Sequence, residues 1–259
     1  MLALPVSVLS VRVEAYFQSL CKMCQIHVAA LQDDLFHMGL ELDEPTASTP
    51  VFAATNFSID FYGRIPSNST CEMAAEGTEH GPDMCVTDRY HLCAQHSGAP
   101  HWFDYTHCMM MNIDSLKCHR NGHCPSRERF YAALGLVHPM CAVLSGVDAE
   151  AIQTCANSPE AVELQKLSYA RTQQRTQGTS FAPIFVDGKK LDVDRFWRKT
   201  PDSMYYGQQV LEAVCSAAAA QQGVTPTGCD SWSADRDRYR DRDRDRDRDR
   251  DRYRDRYRS

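Results

Sequence analysis

Two cysteines stand three residues apart in Ser19-Leu20-Cys21-Lys22-Met23-Cys24, directly after an apolar β-like run and at the start of a helix-like one. At a helix start, unpaired backbone N–H groups and the positive end of the dipole both favour a thiolate over a thiol. Cysteine pKa values in such settings fall to roughly 3.5–7.5. The spacing suits thiol–disulfide exchange. A first thiolate attacks a disulfide to give a mixed disulfide, and a second thiol one turn away attacks that bond and frees the product. Cys21, nearer the helix end, is predicted to be the exposed nucleophile. Cys24, one turn deeper, is predicted to resolve the mixed disulfide. Lys22 puts a positive charge beside Cys21 that pushes the same way.

Two other chemistries use the same pattern. A Cys-X-X-Cys pair can be half of a zinc site, or part of a structural disulfide framework. A zinc site needs a second ligand pair at matching spacing. The nearest is Cys118-His119 with His123-Cys124. The strand–helix context favours redox chemistry, with no metal and no cofactor.

The elements that must hold the pair are legible from periodicity. Val6 to Phe17 alternates and is rich in Val, which predicts a buried strand. Cys24, Val28, Leu31 and Leu35 then mark one face of a helix that stops near Gly39. Pro45 to Pro50 is a loop, and Val51 to Phe61 a second strand. Residues 65 to about 139 hold cysteines, His and Met with few long periodic runs, and are predicted to be a disulfide-stapled, mostly helical insertion. Asp148 to Cys155, capped by Asp148, and Pro159 to Gln174, with Pro159 in the first turn, are predicted helices. Phe181 to Val186 is a third strand. Asp187-Gly188 is a hairpin signal, Lys189 to Val193 a fourth strand, and Ser203 to Ala220 a closing helix. The order β-α-β, insertion, α, β-β-α is a thioredoxin-like α/β arrangement. The predicted divisions are 1–64 for the N-terminal half with the Cys-X-X-Cys pair, 65–158 for the cysteine-rich helical insertion, 159–222 for the C-terminal half, and 223–259 for a low-complexity tail.

Composition narrows the setting. The 259 residues include twelve cysteines, an even and high number for a reduced compartment. The candidates for structural bridges are Cys71, Cys85, Cys93, Cys108, Cys118, Cys124, Cys141 and Cys155. Asn56-Phe57-Ser58 and Asn68-Ser69-Thr70 are N-glycosylation sequons, which agrees with an oxidising compartment. Met1 to Leu9 is apolar but short for a signal peptide and lacks a basic start, so a leader missing from this chain is the favoured reading. No apolar stretch approaches the roughly 20 residues that span a bilayer.

The net charge of −6 hides an asymmetry. From Asp235 onward there are 12 Arg and 9 Asp, leaving 16 basic and 25 acidic residues in the rest of the chain. An acidic body argues against nucleic acid as its main ligand. In the tail, strict Asp-Arg alternation gives opposite signs at i+3 and like signs at i+4, so a helix gains and loses equally. With almost nothing apolar to bury, the tail is predicted to be disordered.

The run Val11-Arg12-Val13-Glu14-Ala15-Tyr16-Phe17-Gln18-Ser19-Leu20-Cys21-Lys22-Met23-Cys24 resembles the strand and active-site motif of the gamma-interferon-inducible lysosomal thiol reductases. Glu79-His80-Gly81-Pro82-Asp83-Met84-Cys85, with Cys93 after it, is similar to that family's Cys-Gln-His-Gly signature. Trp102-Phe103 with Cys108-Met109, Cys141-Ala142 with Gly146 and Cys155, and Phe181-Ala182-Pro183 before Asp187-Gly188 follow in the same order, over roughly residues 8 to 220. Thr78 and Glu79 stand where the signature has Cys and Gln, and the nearest cysteine is Cys71. The disulfide map near the signature therefore stays open.

The resemblance implies a secreted or lysosomal thioredoxin-fold reductase that opens protein disulfides at acidic pH. Its substrates would be disulfide-containing proteins, and a small-molecule thiol would restore the dithiol. It implies Cys21 as nucleophile, Cys24 as resolving thiol, and Pro183 as a cis-proline. A cis bond there would set the Ala182 backbone beside the pair, ready to receive an extended substrate strand. His27 is expected at the surface, His80 in a structural role, and Met109-Met110-Met111 as packing. The competing functions are a DsbA-like oxidase or isomerase with the same fold, a non-catalytic disulfide-rich secreted binding protein, and a zinc protein using Cys118, His119, His123 and Cys124.

Overall fold

A computed structural model describes residues 10–32, 55–63, 81–117, 126–177, 182–191, 204–223 and 229. The predicted start of the first strand, the loop at Pro45–Pro50, Asn68, Cys71, His80, the Cys118–Cys124 cluster and the Asp-Arg tail lie outside the described residues.

The described elements are β1 (Val11–Phe17), α1 (Lys22–Leu31), β2 (Thr55–Phe61), α2 (Gly81–His96), α3 (Trp102–Met111), α4 (Ile113–Leu116), α5 (Arg127–Ser145), α6 (Ala149–Ala156), α7 (Pro159–Thr176), β3 (Ile184–Val186), β4 (Lys189–Lys190) and α8 (Met204–Gln222). They form one four-stranded sheet in the order β2-β1-β3-β4. β1 runs parallel to β2, with Val11 opposite Thr55 and Phe17 opposite Phe61. β3 runs antiparallel to β1, and β4 antiparallel to β3. A parallel βαβ unit joined centrally to an antiparallel ββα unit is the thioredoxin-like topology, and the fold is of that class.

Both faces of β1 are covered, which explains its near-continuous burial. Phe17 faces α1 and α8, meeting His27 at a ring separation of 6.5 Å. The opposite face carries Glu14 and Tyr16 toward α7. Arg175 reaches Glu14 at 2.8 Å and Arg171 reaches Asp60 of β2 at 2.6 Å. Each buried carboxylate is thus met by a guanidinium from α7, as its burial requires. Gly63 follows β2 where a Cβ would lie 2.3 Å from the Tyr169 ring, so only glycine admits that ring.

Local signals set the helix ends. Ser126 accepts the Arg129 N–H at 3.3 Å and Asp148 accepts the Ala151 N–H at 3.0 Å, both as N-caps. Pro159 occupies the first turn of α7. Gly146 closes α5 with φ of +70°. The described part of the insertion is helical as expected, and α5 runs on through Pro139.

The hairpin between β3 and β4 has positive φ at Asp187 (47°) and Gly188 (75°), the type I′ pattern that matches strand twist. Asp187 also ties the hairpin to β1: its N–H donates to Arg12 O at 2.8 Å, and its Oδ1 accepts the Arg12 N–H at 2.9 Å.

Disulfides staple the helical layer. Cys93 of α2 is bonded to Cys155 of α6, and Cys108 of α3 to Cys141 of α5. Cys85 is disulfide-bonded too. Closing loops of 62 and 33 residues, the first two bridges each contribute about 4 kcal/mol by restricting the unfolded chain. A further bridge, Cys215–Cys229, was not among the expected ones. It lies at the far end of the chain, tying α8 to the segment beyond it.

Candidate active site

Cys21 is the N-cap of α1, and its backbone is extended (φ −90°, ψ 123°). Its N–H donates to Gln18 O at 3.1 Å and its carbonyl accepts the Gln25 N–H at 3.0 Å, so a tight turn feeds β1 into α1. The thiol therefore sits over the first free N–H groups of the helix. Among the described residues, Cys21 and Cys24 are the free thiols, while the other described cysteines are in disulfides.

The two sulfurs are inequivalent. Cys21 is held down to about 6 from an ordinary value of 9. The largest cause is a hydrogen bond from the Cys24 thiol, followed by the backbone N–H groups of Cys24 and Met23 and the charge of Lys117, with burial opposing them. Cys24 is pushed well above its ordinary value, chiefly by burial and then by its bond to Cys21. The Gln18 N–H donates to Cys24 Sγ at 3.3 Å and opposes that rise. The pair thus shares one proton, carried by the deeper sulfur.

Three expectations need correcting here. Cys21 was expected to be exposed, yet it is 5% exposed, against 1% for Cys24. The insertion roofs the start of α1: Lys22 Nζ meets Asp114 Oδ2 of α4 at 3.2 Å, and Gln25 Nε2 donates to the Met111 carbonyl at 3.3 Å. The cation acting on Cys21 is buried Lys117 after α4, because Lys22 turns outward to Asp114. The Ala182–Pro183 bond is trans, with no cis peptide among the described residues. Ala182 makes the bend by taking a φ of 47° instead, and a proline disfavours the right-handed helical region for the residue before it.

Ala182 and Pro183 are fastened to α8 and β1 respectively. The Pro183 carbonyl accepts the Tyr16 N–H at 3.1 Å, which anchors the entry to β3 against β1. The Ala182 carbonyl faces the Tyr206 hydroxyl of α8 at 3.5 Å, and Ala182 is 1% exposed. Tyr206 in turn stacks on His27 with ring centres 4.0 Å apart, and its pKa is raised by burial and then by Cys24. His27 is therefore buried rather than at the surface, and burial lowers its pKa to about 4, so it stays neutral above that.

Of the other expected residues, Met109 and Met110 are core packing while Met111 is 46% exposed. Asn56 is exposed on the edge strand β2. No group of His, Cys, Asp or Glu able to hold a metal occurs among the described residues. No helix there is long and apolar enough to cross a membrane.

Sequence reasoning missed two groups near the sulfurs. Lys117 carries no local signal, since its position depends on how α4 docks. Asp88 of α2 is fully buried and adds its charge to the environment of Cys24. It falls at i+4 from Met84 and three before His91, both buried, so it stands on the inward face of its helix.

No protein-family model and no curated protein sequence matches this chain. Solved structures with a similar course include reduced DsbA1 from Neisseria meningitidis (11% identity, 86% of this chain and 92% of that chain, TM-score 0.47). DsbA from Xylella fastidiosa (13%, 84% and 90%, 0.45) is another. A third is the thiol-disulfide oxidoreductase MdbA from Corynebacterium diphtheriae (13%, 77% and 82%, 0.44). The fold assignment rests on the strand order, β2-β1-β3-β4 with an antiparallel second half, and on the placement of Cys21 at the junction of β1 and α1.

Proposed function

We propose that this chain is a thiol–disulfide oxidoreductase that reduces disulfides in proteins, with Cys21 as nucleophile and Cys24 as resolving thiol. One observation carries this reading: two free thiols share a proton at a helix N-terminus, in a molecule whose other described cysteines are bridged. A framework cysteine has no use for that asymmetry, whereas exchange requires an ionised attacker and a protonated reserve. The Cys21 thiolate attacks a substrate sulfur and the other substrate sulfur leaves. Cys24 then attacks Cys21 Sγ, the second substrate sulfur leaves, and a small thiol restores the dithiol.

The reductive direction follows the resemblance of the Val11–Cys24 run to the gamma-interferon-inducible lysosomal thiol reductases. The bridged helical layer fits an oxidising compartment, which agrees with a secreted or lysosomal reductase of the gamma-interferon-inducible type.

Equilibration with glutathione buffers tests the direction. The Cys21–Cys24 disulfide is expected to persist in buffers poised down to about −200 mV and to open to the dithiol only below that, in the range of thioredoxins and glutaredoxins. A pair still reduced in buffers poised near −120 mV would make the protein an oxidase.

A further inference from the structure

We propose that the outward face of α5 is the contact between two copies of this chain, packed antiparallel about a two-fold axis. From Phe130 to Ser145 the side chains bearing nitrogen or oxygen are those of Tyr131, His138 and Ser145, and the last two are buried. Phe130, Leu134, Val137, Cys141 and Ala142 make the inner face of α5, which packs on α3 and α4. The outer face is apolar as well, and it is open. Leu136, Val143 and Leu144 are 75%, 80% and 73% exposed, and Tyr131 and Met140 are nearly half exposed. Ala132, Gly135 and Pro139 between them are exposed too. A helix that faces water ordinarily carries polar residues there, and one that is apolar all round is buried. α7 follows that rule, with Glu163, Lys166, Gln173 and Gln174 outward.

The residues of this face suit a second helix of the same sequence. Ala132, Leu136, Pro139 and Val143 are spaced four, three and four apart, the repeat of a seam between two helices that cross at about +20°. Run antiparallel, two such seams have their two-fold axis between positions 136 and 139. Ala132 then meets Val143 of the other copy, and Leu136 meets Pro139. Each meeting joins a smaller side chain to a larger one and occurs twice, as an isologous contact requires. Met140 and Leu144 flank the seam on one side. Gly135 keeps the other side low, where a Cβ would meet no described atom within 4 Å.

Charge at the two ends agrees with the same arrangement. Arg129 lies on the seam line one turn before Ala132, while Glu128 lies at its margin, and Asp148 and Glu150 follow the end of α5. Arg129, Asp148 and Glu150 are exposed. The antiparallel two-fold carries Arg129 of each copy to the far end of the other helix, beside those carboxylates, whereas parallel helices would set Arg129 against Arg129. With most of the face covered, each copy loses about 600 Å² and the pair ~1,200 Å², the lower end of specific interfaces. An unfolded substrate is a poorer occupant. α3 and α4 roof the thiol pair and α5 packs on them, so a segment on the outer face of α5 has α5 and the roof between it and Cys21.

Sedimentation equilibrium of the full chain with its bridges intact tests the proposal. At about 100 µM, above the micromolar constant that such an area allows at its weak end, the mass is expected to be twice the 29.3 kDa of one chain. Non-reducing SDS electrophoresis should show single chains, since no cysteine takes part. Leu136→Glu and Val143→Glu each put two like charges into the seam, one from each copy, and should raise the dissociation constant at least about thirtyfold. Both positions are largely exposed, so the circular dichroism of each variant should match that of the unaltered protein. Leu167→Glu, at an exposed apolar residue of α7 outside the seam, should stay dimeric. Arg129→Glu should weaken the dimer about fivefold, and adding Glu150→Arg should restore it by rebuilding the ion pairs across the axis. A monomeric unaltered chain would mean that another segment or another molecule covers α5, and overturns the proposal. So does a dimer that survives both glutamate substitutions, one lost equally in Leu167→Glu, or one that persists as a disulfide-linked band. An Arg129→Glu dimer that Glu150→Arg does not strengthen overturns the antiparallel arrangement. Should one glutamate variant not fold, the other and the Arg129–Glu150 exchange decide. Failure here leaves the exchange chemistry of Cys21 and Cys24 untouched, because the association makes no use of it.

Discussion

Cys21→Ser is expected to abolish disulfide exchange, lowering turnover of a disulfide-linked protein by at least about a thousandfold. The loss follows from where the ionised sulfur sits. Cys21 has its thiolate form stabilised by Cys24, two helix N–H groups and Lys117. A serine hydroxyl there is not ionised at neutral pH and forms no bond to sulfur that could be exchanged. Cys24 cannot substitute, because burial holds it protonated and the 1% of its surface left open admits no substrate sulfur. Circular dichroism and thermal melting should be near those of the unaltered protein, since the change is isosteric and Cys21 is in no structural bridge. Retained turnover in Cys21→Ser would refute the nucleophile assignment.

Cys24→Ser is expected to separate the two halves of the cycle. Attack by Cys21 continues, but nothing within one turn can open the mixed disulfide, so a one-to-one covalent adduct with substrate accumulates. Non-reducing electrophoresis and intact mass should show it, and added dithiothreitol should release it. The substitution also removes the S–H donor that is the largest influence on Cys21. Attack is therefore expected to need a pH higher than about 6, by an amount a pH series would measure. Multiple turnover without an adduct would show that Cys24 does not resolve.

The parts of this site that were readable in the chain are those fixed by local rules. Cys21 at a strand–helix junction, the Asp148 cap, Pro159 in a first turn and the Asp187-Gly188 turn depend on residues only a few positions apart, and each took its expected place. The alternation of β1 and the inward face of α1 likewise gave the βαβ core.

What local rules missed depends on docking between distant elements. Whether Cys21 is open or roofed is decided by α3 and α4, some 90 positions away, through Lys22–Asp114 and Gln25–Met111. The same docking replaced Lys22 by Lys117 as the cation acting on the thiol. His27 went to the core because Tyr206 of α8 offers it a flat partner, which nothing near His27 announces. At Pro183, the motif expectation of a cis bond gave way to a left-handed Ala182, a second way to turn the chain into β3.

The roof over the pair has a consequence for substrates. A folded protein cannot present a disulfide to a sulfur that is 5% exposed without movement of one partner. The Lys22–Asp114 pair at the rim of the roof is about half exposed on both sides and worth little in stability, so it resists such movement weakly.

The most direct test of an ionised Cys21 is the pH dependence of its alkylation. The reduced protein would be treated briefly with iodoacetamide from pH 4 to 10, and the labelled cysteine located by peptide mass. Cys21 is expected to carry the label, with a rate midpoint near pH 6, while Cys24 stays unlabelled until the protein is unfolded. Labelling with a midpoint near 9, or equal labelling of both sulfurs, would contradict the account and leave the pair an ordinary dithiol.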